Sequence, residues 1–263
     1  MSEGTAIRFN RIRPTLKPPL CPDSQIVSAY ARAIEGHQDR VLLLGVTAEL
    51  ADLGKTTVAL DISRTMIAEA WPGDTAKRQA IRGNWMDMPF ANPEFTAVVG
   101  DGVLAAIDLS DYDLLARQFA KALLPGAKVA LRCYVSPEFG PSLVEIQEAA
   151  MRGDIGGFHA FKWRLAMAIA RERSSASVPV VMIHESFERL FPDRRALAAA
   201  SGWSLEEISE IDAYAGKAFV YQFPTEREIE RHLPTSFHNA RFLPSGDYEL
   251  ADQCPLLVAD FAP

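Results

Sequence analysis

Val41-Leu42-Leu43-Leu44-Gly45-Val46-Thr47-Ala48-Glu49 decides how the rest of the chain is read. Four consecutive apolar residues stand between Asp39-Arg40 and a glycine. A strand with one wet face alternates polar and apolar residues. A run that is apolar at every position predicts a central strand of a parallel sheet, covered on both faces. Gly45 then marks the carboxyl end of that strand, where the backbone turns and a ligand can approach closely.

The same pattern repeats outward from this run. Residues 56–61 predict a second strand, and Ser63 is a good N-cap for a helix over 64–71. Short third and fourth strands are expected at 79–82 and 95–99. A helix over 111–124 ends at Pro125-Gly126, and a fifth strand follows at 128–134. Upstream, Ile26, Ala29, Tyr30 and Ile34 fall at helical spacing and predict a helix over 24–35, stopped by Gly36. Residues 1–24 carry Pro14, Pro18, Pro19 and Pro22 and read as an arm lying on the domain. Strands alternating with helices over short connections predict an α/β fold. The expected form is Rossmann-like and doubly wound, a mostly parallel sheet with helices on both faces.

The regularity breaks after Tyr134. Helices are expected at 141–152 and 159–173, then an apolar run over 178–183 interrupted by Pro179, then a helix over 185–200. Strand-like sequence returns at 218–221, and 255–261 is a good closing strand. The stretch between them holds three prolines and two histidines. It is long for a hairpin, so local structure or a site cover is expected there. The expected organisation is an N-terminal arm and helix over 1–37 and a ligand-binding core over 38–134. A helical insertion after strand five, at 135–184, would serve as a substrate cover, and 185–263 would complete the α/β domain.

Composition narrows the function. The chain has 263 residues with 27 Lys plus Arg against 34 Asp plus Glu, a formal charge of -7. An acidic chain without a basic stripe is a poor partner for a phosphate backbone, so nucleic acid is not expected as a partner. The three cysteines, Cys21, Cys133 and Cys254, match no clustered zinc or iron–sulfur spacing, and their odd number argues against a disulfide scaffold. The five histidines form no HExxH or Cys/His cluster, so no metal is expected. No Gly-x-Ser-x-Gly elbow is present. The N-terminus lacks an apolar signal core, and no apolar stretch is long enough to span a bilayer. Cytoplasm is the expected compartment, no membrane partner is expected, and the oligomeric state stays open.

Open parallel sheets bind ligands at the carboxyl ends of their strands, and three such ends carry chemistry. At the first, Gly45 permits close approach, Thr47 adds a hydroxyl and Glu49 a carboxylate suited to an ammonium group. The three-glycine dinucleotide pattern is absent, and Glu49 would repel a pyrophosphate. At the second, Asp61 can accept both hydroxyls of a ribose. At the third, Asn84 offers an acceptor and donors for an adenine edge, and Trp85 or Met86 can pack on the base. Met88 and Phe90 read as core. Asp101, between Gly100 and Gly102 at the end of strand four, falls beside Gly45 and is expected to touch a ligand.

In order and spacing, these segments resemble the class I S-adenosylmethionine-dependent methyltransferases over about residues 38–134. Residues 41–49 resemble the first motif of that family, and Val58-Ala59-Leu60-Asp61-Ile62-Ser63 its ribose strand. Residues 82–90 with 95–102 resemble its adenine segment and fourth strand, and 123–131 its Pro-Gly turn and fifth strand. The resemblance implies S-adenosylmethionine as cofactor. It implies cofactor contacts at Tyr30, Gly45, Thr47, Glu49, Asp61, Ile62, Met66, Asn84, Trp85, Met86, Asp101 and Gly102. The chain departs from the pattern at Leu43, where the family has an acid. It departs at Thr47 and Glu49, where further glycines are usual, and at Asn84, where aspartate is common. Glu49 either takes over recognition of the methionine ammonium or closes the pocket. Tyr30 either caps the methionine end or packs in the core.

Acceptor contacts are expected outside the core. Arg132 and Tyr134 share a strand face and can bind a carboxylate or phenolate; alternatively, Arg132 pairs with an acid from a covering helix. His159 and Trp163 are four apart and share a helix face in the insertion. His184, after an apolar run, can act as a base near neutrality or sit in a surface hydrogen bond. Methyl transfer from a sulfonium is a direct displacement and requires no triad or metal. The favoured reading is methylation of a small molecule. The alternatives are a cofactor-binding protein without catalysis, a nicotinamide dehydrogenase, and methylation of a protein or RNA.

Overall fold

Burial on both faces places β1 (Arg40–Leu44) at the centre: Val41, Leu42, Leu43 and Leu44 are each at most 1% exposed. The computed structural model describes residues 17–263. Residues 1–16 of the expected arm lie outside them. The further strands are β2 (Thr56–Asp61), β3 (Arg78–Arg82), β4 (Phe95–Asp101), β5 (Leu123–Arg132), β6 (Ser177–Pro179), β7 (Val220–Gln222), β8 (Phe237–Leu243) and β9 (Leu256–Phe261). Seven of them form one sheet in the order β3-β2-β1-β4-β5-β9-β8. β1 pairs parallel with β2 and β4, β2 with β3, and β4 with β5. β9 runs antiparallel between β5 and β8. The fold is therefore the Rossmann-like, mostly parallel α/β sheet expected. The strand order reverses between β1 and β4, and a ligand crevice belongs at their carboxyl ends.

The chain divides into two compact units. One runs to Cys133 and resumes at Ile229; the other is 134–228. In the first unit, α1 (Ser24–Ala33) starts at Asp23, whose carboxylate accepts from the N–H groups of Gln25 and Ile26. α2 (Arg64–Ala70) starts at Ser63, whose hydroxyl accepts from Met66 N–H. Both pack on one sheet face, where Ile26, Tyr30 and Met66 join Val41, Leu43, Ala59, Val99 and Val258 in one core. The opposite face carries Leu131 and Leu257, which share a small apolar cavity with Tyr112 and Leu115 of α3 (Tyr112–Ala122). Helices thus flank both faces, as the doubly wound pattern requires.

The second unit is mainly helical, with α4 (Leu143–Arg152), α5 (Phe158–Glu172), α6 (Val180–Leu190), α7 (Arg194–Ser201) and α8 (Leu205–Ile208). A last helix, α9, spans Glu226–His232. The insertion after strand five is thus helical. Residues 185–228 belong to the same compact unit as 134–184.

Several local expectations are corrected. Leu123 and Leu124 extend β5 rather than ending α3; Leu123 pairs with Phe95 before a register shift. The apolar run over 178–183 is only briefly a strand, since α6 begins at Val180. Its β-branched residues favour a strand locally, but Val180, Ile183 and Phe187 bury one stripe at helical spacing. The helix expected over 185–200 is two helices, broken at Pro192, with Asp193 capping α7. The strand near 218–221 pairs with β6 in a separate two-stranded sheet. Between 222 and 254 the chain forms β8, an edge strand whose residues are mostly exposed. It shows no alternation, and Asn239, at φ 52, breaks its register.

Gly100 is fixed by packing. A Cβ there would collide with Val103 Cγ2 and press on Leu131 Cδ2 and Leu44 Cβ at 3.3 Å. Gly100→Ala is expected to destabilise the first unit by about 1–3 kcal/mol, the usual cost of overpacking. Chemical denaturation checks this; an unchanged midpoint would contradict it.

Candidate active site

Three side-chain and backbone groups converge where β1 and β2 end. Gly45 has φ +93, and a Cβ built on it would sit 3.8 Å from the Trp85 indole and 4.0 Å from Asp61 Oδ2. Its N–H donates to the Leu60 carbonyl at 2.9 Å. The same carbonyl accepts from Trp85 Nε1 at 2.7 Å, which locks the indole against the strand ends. Asp61 Oδ1 accepts the Ser63 N–H at 2.7 Å. Burial pushes the Asp61 carboxyl above the ordinary range, and the Ser63 N–H opposes that shift. Ile62, beside it, is 58% exposed, an apolar surface at a strand end. Gly45→Val is expected to abolish cofactor binding, because it forces a left-handed φ on a branched residue and crowds Trp85 and Asp61. Calorimetry reads this directly; retained affinity would remove Gly45 from the site.

The other expected cofactor residues differ in what surrounds them. Thr47 and Glu49 are half-buried around the 3-10 turn Ala48–Leu50. Asn84 is exposed, and its Oδ1 accepts the Met86 N–H at 3.0 Å, closing its own turn; Met86 is half-buried. Met66 is 8% exposed and lies within the sheet-face core. Tyr30 is fully buried there, with burial raising its phenol far above the ordinary range. Its hydroxyl donates to the Gly100 carbonyl at 2.7 Å and accepts the Arg132 N–H at 3.1 Å.

Asp101 and Arg132 form a buried pair. Arg132 Nε donates to Asp101 Oδ1 at 2.5 Å and Nη2 to Oδ2 at 2.9 Å, with side chains 0% and 5% exposed. Nη1 donates to the Tyr248 hydroxyl at 3.0 Å, and Nη2 also to the Pro19 carbonyl at 2.7 Å. Gly102 N–H donates to the Arg132 carbonyl at 3.0 Å. Arg132 pairs with an acid, as one of its two sequence readings held, but that acid is on the neighbouring strand. The guanidinium faces inward, so Arg132 offers no surface for the substrate carboxylate or phenolate that the other reading assigned to it. Asp101 likewise has both oxygens committed to Arg132, which differs from the ligand contact expected of it.

The helical unit brings Tyr134, His159 and Trp163 into one neighbourhood. Tyr134 lies 5.3 Å from Trp163, centroid to centroid. His159 Nε2 is 3.5 Å from Glu210 Oε2. Burial first, and the Lys162 charge second, push the His159 imidazole down to about 3, so it is neutral near pH 7. Its Nδ1 and Trp163 Nε1 are buried without a hydrogen-bond partner. Sequence reading did not single out Lys162, Glu210, Tyr214 and Tyr221. Lys162 is only 6% exposed and sits 5.6 Å from the Trp163 ring and 5.1 Å from that of Tyr214. A lysine set directly between Phe161 and Trp163 is the available signal. His184 approaches the 3-10 turn Ser209–Tyr214, which also carries Glu210, with Nε2 3.5 Å from Asp212 Oδ1. With Glu188 and Asp212 it gathers three possible metal ligands within 4.8 Å, but both acids already pair with Arg194 at 2.6 Å.

Residues 45–131 match the family model described as a methyltransferase domain. No curated protein matches the chain. Among solved structures, the Bradyrhizobium japonicum N-methyltransferase NodS with S-adenosyl-L-homocysteine is similar at TM-score 0.53 and 12% identity, covering 98% of this chain and 99% of that one. Human N-acetylserotonin methyltransferase with S-adenosylmethionine is similar at 0.52 and 13%, covering 100% of this chain and 57% of that one. A Rhodobacter sphaeroides protein assigned as a Zn-dependent alcohol dehydrogenase reaches 0.56 at 10%, covering 100% and 98%. At such identities the likeness is one of fold; the family model distinguishes methyl transfer from hydride transfer.

Proposed function

We propose that the chain, whose residues 45–131 match a methyltransferase-domain model, is a class I S-adenosylmethionine-dependent methyltransferase that methylates a small-molecule acceptor in the cytoplasm. The cofactor supplies an electrophilic methyl carbon. The acceptor lone pair forms the new bond to that carbon, the sulfur–carbon bond breaks, and its electron pair leaves on a neutral thioether. The chain's own residues bind and align.

The convergence of Gly45, Asp61 and the Trp85 indole at the strand ends carries this reading. Gly45 admits the cofactor backbone. Asp61 Oδ2 takes the ribose hydroxyls, and Ile62 with Trp85 and Met86 lines the base. Glu49 receives the methionine ammonium, replacing the glycine-rich first loop of the resemblance. Glu49→Gln is therefore expected to weaken binding of S-adenosylmethionine by calorimetry. Stronger binding would make Glu49 a gate instead.

We assign acceptor recognition to the helical unit. Two observations support a small acceptor. The net charge of -7 disfavours nucleic acid. The buried His159 Nδ1 and Trp163 Nε1 sit on one helix and suit a compact polar group. No helix among the described residues is long and apolar enough to cross a membrane. The test is an acceptor screen over hydroxyl- and amine-bearing metabolites, reading S-adenosylhomocysteine formation. His159→Gln and Trp163→Phe are expected to raise the acceptor KM while leaving cofactor affinity intact. Cofactor binding with no turnover across the panel would overturn the catalytic reading in favour of a binding protein.

A further inference from the structure

The helical unit holds a cavity of about 110 Å³, and none of its lining residues is among those assigned above to cofactor or acceptor. A single water needs about 10–15 Å³, so the cavity has room for several non-hydrogen atoms. Its walls follow from how α5 ends. The carbonyls of Ile169, Ala170 and Arg171 accept the N–H groups of Arg173, Ser175 and Ser174 at 3.1, 3.0 and 3.0 Å, so the backbone closes this helix end by itself. Ser174 stands there at φ 50, a position where glycine is usual, and keeps a hydroxyl on the cavity wall. Ser175 Oγ accepts the Ser177 N–H at 3.3 Å, which leaves its own proton to donate. Arg171 and Glu228 line the same space without forming an ion pair with each other. Arg171 is half-buried, and burial lowers its guanidinium while the Glu172 charge opposes that shift. Its Nη2 donates to the Pro141 carbonyl, which leaves further donors on the fork. Glu228 is fixed by the cap of α9: its Oε2 accepts the Thr225 N–H at 2.7 Å and the Thr225 hydroxyl at 2.9 Å. Ala170, Ala176 and Phe223 supply apolar wall.

We propose that this cavity binds a small zwitterion of amino-acid type, with its carboxylate on Arg171 and the Ser174 and Ser175 hydroxyls and its ammonium toward Glu228. The two charges decide the class. A carboxylate stabilises the guanidinium that burial disfavours, and the planar fork matches its geometry. A simple anion would also meet Glu228, and a simple cation would also meet Arg171, so each brings one like charge to short range. A phosphate carries more negative charge still and gains nothing from the apolar wall. A molecule with both charges suits both residues, and its short hydrocarbon body fits Ala170, Ala176 and Phe223. Glu228 stays bonded to Thr225 throughout, because a carboxylate has further lone pairs to offer. The left-handed backbone of Ser174 points the same way. Glycine would relieve it, and strain of this kind persists where a side chain touches a ligand.

The test uses the full chain and reads binding of L-alanine, propionate and ethylammonium by saturation-transfer NMR titration. Propionate lacks only the ammonium of L-alanine, and ethylammonium only its carboxylate. L-Alanine is expected to bind at least about tenfold more tightly than either, the size of one charge-assisted hydrogen bond. Glu228→Gln keeps the cap of α9, because glutamine also serves at that position of a capping box. It is expected to weaken L-alanine about tenfold and to leave propionate equal or tighter. Arg171→Gln is expected to lose L-alanine and propionate alike. Ser174→Gly is expected to weaken L-alanine several-fold while raising the thermal midpoint, since it relieves the left-handed φ. The methionine end of S-adenosylhomocysteine is itself a zwitterion, so the L-alanine titration is repeated with that compound saturating. Unchanged affinity is expected, and displacement would overturn a separate site. Propionate binding as tightly as L-alanine, or L-alanine binding untouched by Glu228→Gln, would overturn the zwitterion assignment. No binding of L-alanine by the wild type would overturn the site. These readouts survive even if Arg171→Gln does not fold, because the wild type and Glu228→Gln carry them.

Discussion

Replacing Asp61 with alanine is expected to weaken S-adenosylhomocysteine binding by about 2 kcal/mol or more, roughly thirtyfold in Kd. The carboxylate already spends Oδ1 on the Ser63 N–H, so Oδ2 faces the Gly45 cradle. A ribose offers two hydroxyl donors there, and alanine removes the charged acceptor for both. Asp61→Asn keeps the shape and is expected to lose less. Burial raises the Asp61 carboxyl, which gives the effect a pH signature. The ionised form is the acceptor, so affinity is expected to fall as pH drops, starting higher than for an exposed aspartate. Asp61→Asn should flatten that acid limb. The sign for the unliganded fold is opposite. A raised folded pKa favours the protonated form, so stability is lost as pH rises through it. Asp61→Asn is therefore expected to stabilise the free protein near pH 7, as read by chemical denaturation. Unchanged affinity in Asp61→Ala would exclude the ribose role.

The second large effect is expected at Arg132. Removing one member of a buried ion pair strands the other, at a cost of about 3–5 kcal/mol. Arg132→Ala leaves Asp101 without its two guanidinium bonds, and the Pro19 carbonyl and Tyr248 hydroxyl lose a donor as well. Such a loss is a large fraction of the stability of an ordinary domain. Asp101→Asn is expected to cost less than Arg132→Ala, because an amide oxygen still accepts from the guanidinium. Denaturation midpoints of the two variants check this order. Equal midpoints close to that of the wild type would contradict a buried, fully engaged pair.

Much of the first unit was legible because its central strands are covered on both faces. β1 and β4 read as unbroken apolar runs, and Gly45 and Asp61 fall at strand ends that any parallel sheet turns toward its ligand. Residues whose role depends on distant contacts were harder. Arg132 alternates correctly on β5, but nothing local tells that its partner is Asp101 or that Pro19 and Tyr248 lie within reach, across separations of 113 and 116 residues. Met66 occupies a helix position that suits a ligand contact, yet it points into the sheet-face core. In the second unit, local propensity does not decide the element. Val180, Val181 and Ile183 favour a strand by branching, while tertiary burial of one stripe makes them helical. β8 leaves no clear pattern in the sequence because an edge strand needs no apolar alternation. Lys162 is hard to place from sequence because lysines seldom sit buried between aromatic rings.

Isothermal titration calorimetry of the full chain with S-adenosylmethionine, S-adenosylhomocysteine and NAD tests the central claim most directly. The crevice built from Gly45, Asp61 and Trp85 predicts micromolar binding of both adenosyl compounds and none of NAD. Binding of NAD, or a folded protein that binds neither adenosyl compound, would contradict it.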